Sequence, residues 1–315
     1  MSEDPPLRAR LLSIGLTTLD ILARPVDALP PNDTTAIVEQ IMLAPAGTAG
    51  GTALVAARLG VKTAIASTVG ADPAGRLVRA ELEAAGIDTR LLGESADRPT
   101  SITILPINSQ GQRPNLHALG AGRYVADSDA LREAALAAAF VHFAAVGGAG
   151  LKAARAGALL KAAKAAGATV TCDLISPREG VLEELKLILP HVDVFMPNAA
   201  EARMLSGRED LAEAGRALCD LGAGACVFTD GADGAVLVTE GRWTRLSAHP
   251  ITPVDTTSCG DSYCAGVIAG LDRGWPLEQA CRLAGAVSAR VAQGLGTLGA
   301  LTGFEDAVAL LNAAG

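Results

Sequence analysis

The sequence predicts an α/β fold: a mostly parallel central sheet covered by helices on both faces, with a small second sheet beside it. Three observations carry this. From residue 140 onward, short apolar runs alternate with helical patterns. Two β-rich stretches, near 20–45 and 98–119, break that alternation and fit an accessory sheet. No linker of disordered composition and no repeat of fixed period divides the 315 residues, so they read as a single domain, 1–315, with the accessory sheet drawn from about 18–46 and 97–119.

The elements follow in order. Residues 11–16, Leu-Leu-Ser-Ile-Gly-Leu, read as a buried first strand. A Pro-rich turn over 24–32 leads to a β-like segment at 36–43. Small residues 47–51 open a helix to Leu59, closed by Gly60. A strand at 61–69 and a helix at 73–85, closed by Gly86, come next. Strands at 100–107 and 114–119 flank the turn Asn108-Ser109-Gln110-Gly111. Strands at 140–145, 169–174 and 192–196 alternate with helices at 151–166, 178–189, 199–205 and 211–221. A strand pair at 225–229 and 235–239 precedes three helices over 260–273, 276–293 and 303–313.

Half of the residues are hydrophobic, ample for one large core. The net charge of −8 argues against a nucleic-acid surface. Residues 1–10 are polar and carry no apolar core of a signal peptide, and no apolar stretch is long enough to span a membrane. A cytoplasmic protein is expected. The six cysteines form no C-x-x-C pair and read as buried thiols, and the four histidines are scattered, which argues against a zinc centre.

In a sheet of this kind ligands bind beyond the carboxyl ends of the strands, so the loops at 17–20, 45–51, 197–201, 230–234 and 253–261 are the places to look. The most informative is Asp255-Thr256-Thr257-Ser258-Cys259-Gly260-Asp261-Ser262. A small-residue turn opening a helix leaves backbone N–H groups unpaired and aligned with the helix dipole, a site for phosphate. Asp261 stands at its mouth, either as an ordinary helix cap or as a base that accepts a proton from whatever attacks the phosphate.

This stretch resembles the D-T-T-G-A-G-D signature of the ribokinase-like (PfkB) carbohydrate kinases. Five further matches run in the same order: Gly15…Asp20, Ala46-Gly47-Thr48-Ala49-Gly50-Gly51-Thr52-Ala53, Gly70-Ala71-Asp72-Pro73-Ala74-Gly75, Asn198-Ala199-Ala200-Glu201, and Thr229-Asp230-Gly231-Ala232-Asp233-Gly234. The resemblance implies a ribokinase-like three-layer sandwich whose accessory sheet is a lid. It also implies an ATP-dependent, magnesium-requiring kinase acting on a hydroxyl of a small sugar or sugar-like molecule. In that reading Asp261 is the general base, and the amides of Ser258, Cys259, Gly260 and Asp261 are the anion hole. Asp20, Gly47, Gly51 and Asp255 would meet the substrate. Asn198, Thr229, Gly231, Gly234 and Gly285 would meet ATP. Asn198 and Glu201 would hold Mg²⁺ largely through water, although Asn198 alone also reads as an N-cap. Asp255 and Thr257 match positions that bind a monovalent cation such as K⁺ in some relatives.

Three departures stand out. Ser258-Cys259 replaces the usual Gly-Ala, and Ser tolerates the turn only if its φ is not strictly glycine-like. Cys259 is either inert packing or, at a helix N-terminus, an activated thiol. Gly51 stands where many relatives carry a substrate-binding Asn, and Gly285 where an Asn often lies near the nucleotide. The string Gly294-Leu295-Gly296-Thr297-Leu298-Gly299 spells G-x-G-x-x-G, but it follows a helix and lacks the downstream acid of a dinucleotide site. There is no P-loop motif. Two alternatives stay open: a nucleoside kinase of the same fold, disfavoured by the few aromatic residues, and a non-catalytic sugar- or nucleotide-binding protein. Arg113 and Arg123 are candidate partners for a phosphorylated sugar. The exposed lid edge suggests a homodimer.

Overall fold

The computed structural model describes residues 9–313 except residue 176. The polar start that bears on a signal peptide lies mostly outside the described residues. Numbered in chain order, nine strands build the main sheet: β1 (Leu11–Gly15), β4 (Thr63–Gly70), β5 (Asp88–Ser95), β8 (Phe140–Val146), β9 (Thr169–Leu174), β10 (Val194–Phe195), β11 (Ala225–Thr229), β12 (Ala235–Thr239) and β13 (Arg242–Leu246). Their order is β13-β12-β11-β10-β9-β8-β1-β4-β5. All neighbours are parallel except β11–β12 and β12–β13. Parallel strands need crossovers, and the helices supply them.

On one face lie α3 (Asp129–Ala137), α4 (Ala153–Ala165), α5 (Val181–Ile188), α6 (Ala199–Ser206) and α7 (Leu211–Asp220). On the other lie α1 (Thr48–Arg58), α2 (Pro73–Ala84), α8 (Cys259–Asp272), α9 (Leu277–Ala292) and α10 (Phe304–Ala313). Between its two edge strands the sheet is buried on both faces, so its inner strands are mostly apolar rather than alternating. Phe143, Phe195 and Phe228 are among its fully buried side chains, and truncating any of them to Ala would cost about 3–5 kcal/mol. The result is the expected three-layer sandwich.

The second sheet has the order β3-β2-β6-β7, with β2 (Thr18–Arg24), β3 (Gln40–Ala46), β6 (Ile102–Pro106) and β7 (Leu116–Ala118). β2 pairs in parallel with β6, and the outer pairings are antiparallel. Leu22, Met42, Ala44 and Leu105 point to one side and pack with Leu295. On the opposite side a row of apolar residues runs across all four strands: Leu43 opposite Ile21, Ile21 opposite Ile104, Ile104 opposite Leu116.

The structure departs from the sequence reading at the margins. Residues 36–39 are not strand; β3 begins at Gln40, and Ile37 is 96% exposed. β5, α3 and β13 have no counterpart in the sequence reading. β5 and β13 are the two edges of the main sheet. An edge strand is half solvated and carries charge, as in Arg-Trp-Thr-Arg-Leu of β13, so its apolar pattern is weak. α3 is announced only by its cap, Ser128, which accepts from the Leu131 amide.

Candidate active site

Chain order reverses at β1, which lies between β4 and β8, and the crevice opens at the carboxyl ends of these strands. Leu16 O accepts from the amides of Ala49 and Gly50, which anchors the start of α1 there. Gly47 caps this helix at φ +89°, and a β-carbon on it would lie 2.7 Å from Leu16 O, so only glycine fits. Asp20 is carried over the crevice by β2, on the sheet face that also bears Thr103 and His117. Thr18 donates to its Oδ1 at 2.9 Å, and Thr103 Oγ1 lies 3.1 Å from His117 Nδ1. Burial pushes the Asp20 carboxyl above its usual range. An acid, a hydroxyl and an imidazole thus line the underside of the second sheet, a surface suited to hydroxyl groups.

Opposite stands the N-terminus of α8. Ser258 caps it in the left-handed region, φ 56° and ψ 16°, a conformation that glycine adopts freely and serine does not. Among the described residues the amides of Gly260 and Asp261 meet no backbone acceptor, and that of Cys259 makes only a long bond, 3.4 Å, to Thr256 O. These are donors waiting for an anion. Asp261 stays accessible at the rim, its carboxyl pushed up to about 7 by burial, with Asp20 and Glu201 adding to the rise and Ser258 and Arg113 opposing it. A carboxylate poised there is suited to general-base work. Cys259 is no activated thiol: burial pushes it up to about 12. All six cysteines are free.

Gly51 does not face a ligand. It is buried in α1 against Asp261, and a β-carbon on it would lie 2.6 Å from Asp261 Oδ2. Asp255 is corrected as well. It is 1% exposed, and its oxygens accept from Thr257 N, Thr257 Oγ1 and Gly296 N. Each of these groups is a donor, so the carboxylate holds two loops together. The G-x-G-x-x-G string finds its use here. Gly296 binds Asp255, and Thr297 donates to Pro45 O at 2.6 Å, tying the second sheet to the loop before α8.

Asn198 and Glu201 form a reciprocal capping box on α6, each side chain accepting from the other's amide at 2.9 Å. Asn198 is the cap itself and not a partner on the helix face. Asp173, at the carboxyl end of β9, is a residue the sequence reading missed. Its carboxyl is pushed well above the usual range by burial, then by Glu201 and Asp261. The available signal was an acid ending an otherwise apolar strand. None of Asp20, Asp173, Glu201 and Asp261 forms an ion pair among the described residues. No cluster of three or more His, Cys, Asp or Glu there is tight enough to grip a metal directly. Uncompensated carboxylates without a closed cage fit Mg²⁺ held through water.

A cavity of about 470 Å³ adjoins the α8 amides. Thr229, Gly231, Gly234 and Gly285 line it together with Cys259 and Gly260, whereas Asn198, the fifth residue expected to meet ATP, is not part of its wall. Gly231 and Gly234 also turn the β11–β12 hairpin at positive φ. Gly285 opens space beside His249, whose Cδ2 lies 3.9 Å from where a β-carbon would be. His249 was a second omission. Its Nδ1 is buried at the cavity wall with no partner among the described residues, and burial holds the ring below its usual pKa.

Comparison with known proteins agrees with this geometry. Residues 8–302 match the pfkB family carbohydrate kinase profile. A nucleoside kinase of Methanothermobacter thermautotrophicus is 28% identical over 94% of this chain and 92% of its own. A cytidine kinase of Thermococcus kodakarensis is 42% identical over a shorter stretch, 31% of this chain and 36% of its own. The structure of Arabidopsis thaliana ribokinase complexed with ribose and ATP superposes with a TM-score of 0.78 at 22% identity, covering 97% of this chain and 99% of that one. Ribokinase from Giardia lamblia gives 0.80 at 18% identity, covering 96% and 99%. With its motifs in order along one continuous sandwich, the chain belongs to the pfkB family of carbohydrate kinases.

Proposed function

We propose that this protein is an ATP-dependent kinase that phosphorylates a hydroxyl of a small sugar or sugar-like molecule. The observation that carries the reading is Asp261 beside the unpaired amides of Gly260 and Asp261, at the mouth of a cavity lined by Thr229, Gly231, Gly234 and Gly285. Asp20 holds the acceptor from the lid, and Gly47 offers its backbone. Asp261 takes the hydroxyl proton, and the acceptor oxygen forms the new bond to the γ-phosphorus. The bond to the bridging oxygen breaks, and its electron pair leaves on ADP. The amides of Ser258, Cys259, Gly260 and Asp261 receive the charge on the moving phosphoryl. Magnesium, when bound, would screen phosphate charge; Glu201, Asp173 and the Asn198 cap would hold its water shell. An enzyme that consumes ATP in this way belongs in the cytoplasm, which is the localisation we propose.

A nucleoside acceptor is the second reading, favoured by the nucleoside and cytidine kinases among the relatives. ADP release with ribose, fructose, adenosine and cytidine, at saturating ATP and magnesium, separates the two. ADP formed with none of these or with a wider sugar and nucleoside panel, despite ligand binding, would leave a non-catalytic binding protein instead.

We also propose a homodimer through the lid. Leu43, Ile104 and Leu116 are 51%, 45% and 58% exposed on one unbroken row, and Ile41 beside them is 62% exposed. A four-strand apolar face is costly in water and is matched by a second copy of itself.

A further inference from the structure

His249 lies in the stretch between β13 and α8, at the wall of the cavity of about 470 Å³. Both ends of this stretch are fixed. Gly234 is packed so tightly against its start that a β-carbon there would fall 2.7 Å from Ala248 N. At its end the amide of Val254 donates to Ala292 O on α9 at 2.7 Å. Pro250 follows His249 directly, which disfavours a helical backbone at His249. The ring is therefore held at the wall and keeps little freedom beyond its own torsions.

The two edges of the ring meet different surroundings. Cδ2 lies 3.9 Å from the point where a β-carbon on Gly285 would stand. Apart from α9 itself, no other described residue comes within 4 Å of that point. Gly285 thus leaves open space beside a C–H edge. Nδ1, on the other edge, is buried and has no partner among the described residues. Burial, and then the charge of Arg290, hold the ring below its usual pKa. It is therefore neutral and carries one N–H and one lone pair. A buried nitrogen without a partner forfeits the hydrogen bond that water would have given it. A half-turn about Cβ–Cγ exchanges Cδ2 with Nδ1, and this torsion is broad in histidine. The turn carries the nitrogen to the open space beside Gly285 and costs it no bond. Elsewhere the wall is largely apolar, with Ile251, Pro253, Ala289 and Ala292, and its Ser288 Oγ is already spent on Cys259 O at 2.9 Å. An apolar slot with an unspent ring nitrogen suits a flat heteroaromatic base.

We propose that His249 recognises the base of the phosphoryl donor: with nucleotide bound, the ring turns Nδ1 into the space beside Gly285 and exchanges a hydrogen bond with the edge of the base. This rests on the kinase reading above, which seats the nucleotide in this cavity. A neutral imidazole donates or accepts through Nδ1 according to its tautomer, so it can answer a ring nitrogen or an exocyclic amino group. His249 acts on binding and not on the moving phosphoryl, so it sets donor affinity rather than rate.

The test is calorimetric titration of the full chain with ADP and with pyrophosphate, each with magnesium, in wild type, His249→Phe and His249→Asn. Pyrophosphate offers the phosphates without a base. His249→Phe keeps a flat ring and removes its nitrogens, whereas His249→Asn returns polar atoms near the position of Nδ1. His249→Phe should weaken ADP about three- to tenfold, the loss of one hydrogen bond, and leave pyrophosphate unchanged. His249→Asn should bind ADP more tightly than His249→Phe. In wild type, imidazole ¹⁵N NMR gives a second readout. One of the four histidines should shift with ADP and not with pyrophosphate, and its signals should be missing from both variants. Equal ADP affinity in wild type and His249→Phe, a parallel loss of ADP and pyrophosphate, an Asn variant no tighter than the Phe variant, or imidazole signals unmoved by ADP would overturn the proposal. Each of these leaves the kinase reading intact. A wild-type chain that binds neither ADP nor pyrophosphate would sink both.

Discussion

Gly51 and Asp261 occupy one slot: the β-carbon that any other residue would place on α1 falls 2.6 Å from Asp261 Oδ2. The carboxylate rests against bare backbone, and Thr52 in the same turn donates to Asp261 O at 3.2 Å. The position of the base is therefore set by an absent side chain on another helix.

Substitution Gly51→Ala should force the carboxylate out of that slot. A displacement of about 1 Å at a reacting group costs on the order of 10²-fold, so kcat should fall by roughly ten- to a hundredfold while ADP binding is kept. Steady-state kinetics beside calorimetric titration with ADP checks this. A fully active Gly51→Ala enzyme would show that the base acts from elsewhere.

The pH profile follows from Asp261 itself. Its carboxyl is raised to about 7, and the base is the deprotonated form. Thus kcat/KM should be flat above that pH and fall tenfold per unit below it. Asp261→Asn should abolish the acid limb and lower kcat by about 10²–10⁴-fold. The linkage has a definite sign. A carboxyl raised in the folded state favours folding at low pH, and that contribution is lost as pH rises from about 4 toward 7. Denaturant melts at pH 5 and pH 8 should show Asp261→Asn gaining relative to wild type at the higher pH.

Ser258→Gly relieves a left-handed serine at φ 56°. The strain is about 1 kcal/mol, partly offset by the extra freedom of glycine when unfolded. The net expectation is a melting temperature raised by one to three degrees, roughly, for a domain of this size. The Ser258 side chain also holds the Asp261 pKa down. The same variant should therefore show its acid limb moved to higher pH.

For the lid, Leu43→Lys with Ile104→Lys places charge on neighbouring strands of the exposed row. Gel filtration with light scattering at micromolar concentration should report a dimer for the parent chain and a monomer for the double variant. A monomeric parent would remove the lid dimer from the account.

Much of this molecule was readable in advance because its signals are local. Gly60 and Gly86, both at positive φ, lie just beyond α1 and α2 as read. The β11–β12 pair spans the residues expected of it. The turn before α8 announced its unpaired amides by small residues alone. Elements without such signals went unseen, as at β5 and β13, whose outer edges face water. At Asn198 the local sequence already suggests an N-cap, and the geometry adds the reciprocal bond from Glu201 that makes a capping box.

The sequence by itself determined the alternation of strand and helix, the order of the motifs, and which loops gather at the carboxyl edge of the sheet. These rest on periodicity and on hydrogen bonds spanning a few residues. Tertiary structure alone decided that Gly51 opposes Asp261, that Asp255 binds Gly296, that Arg113 of the lid grips Thr256, and that Asp173 joins the acidic cluster. Each such pair is far apart in the chain, and its contact depends on how the layers pack and how the lid seats on the sheet. No pattern of neighbouring residues encodes that.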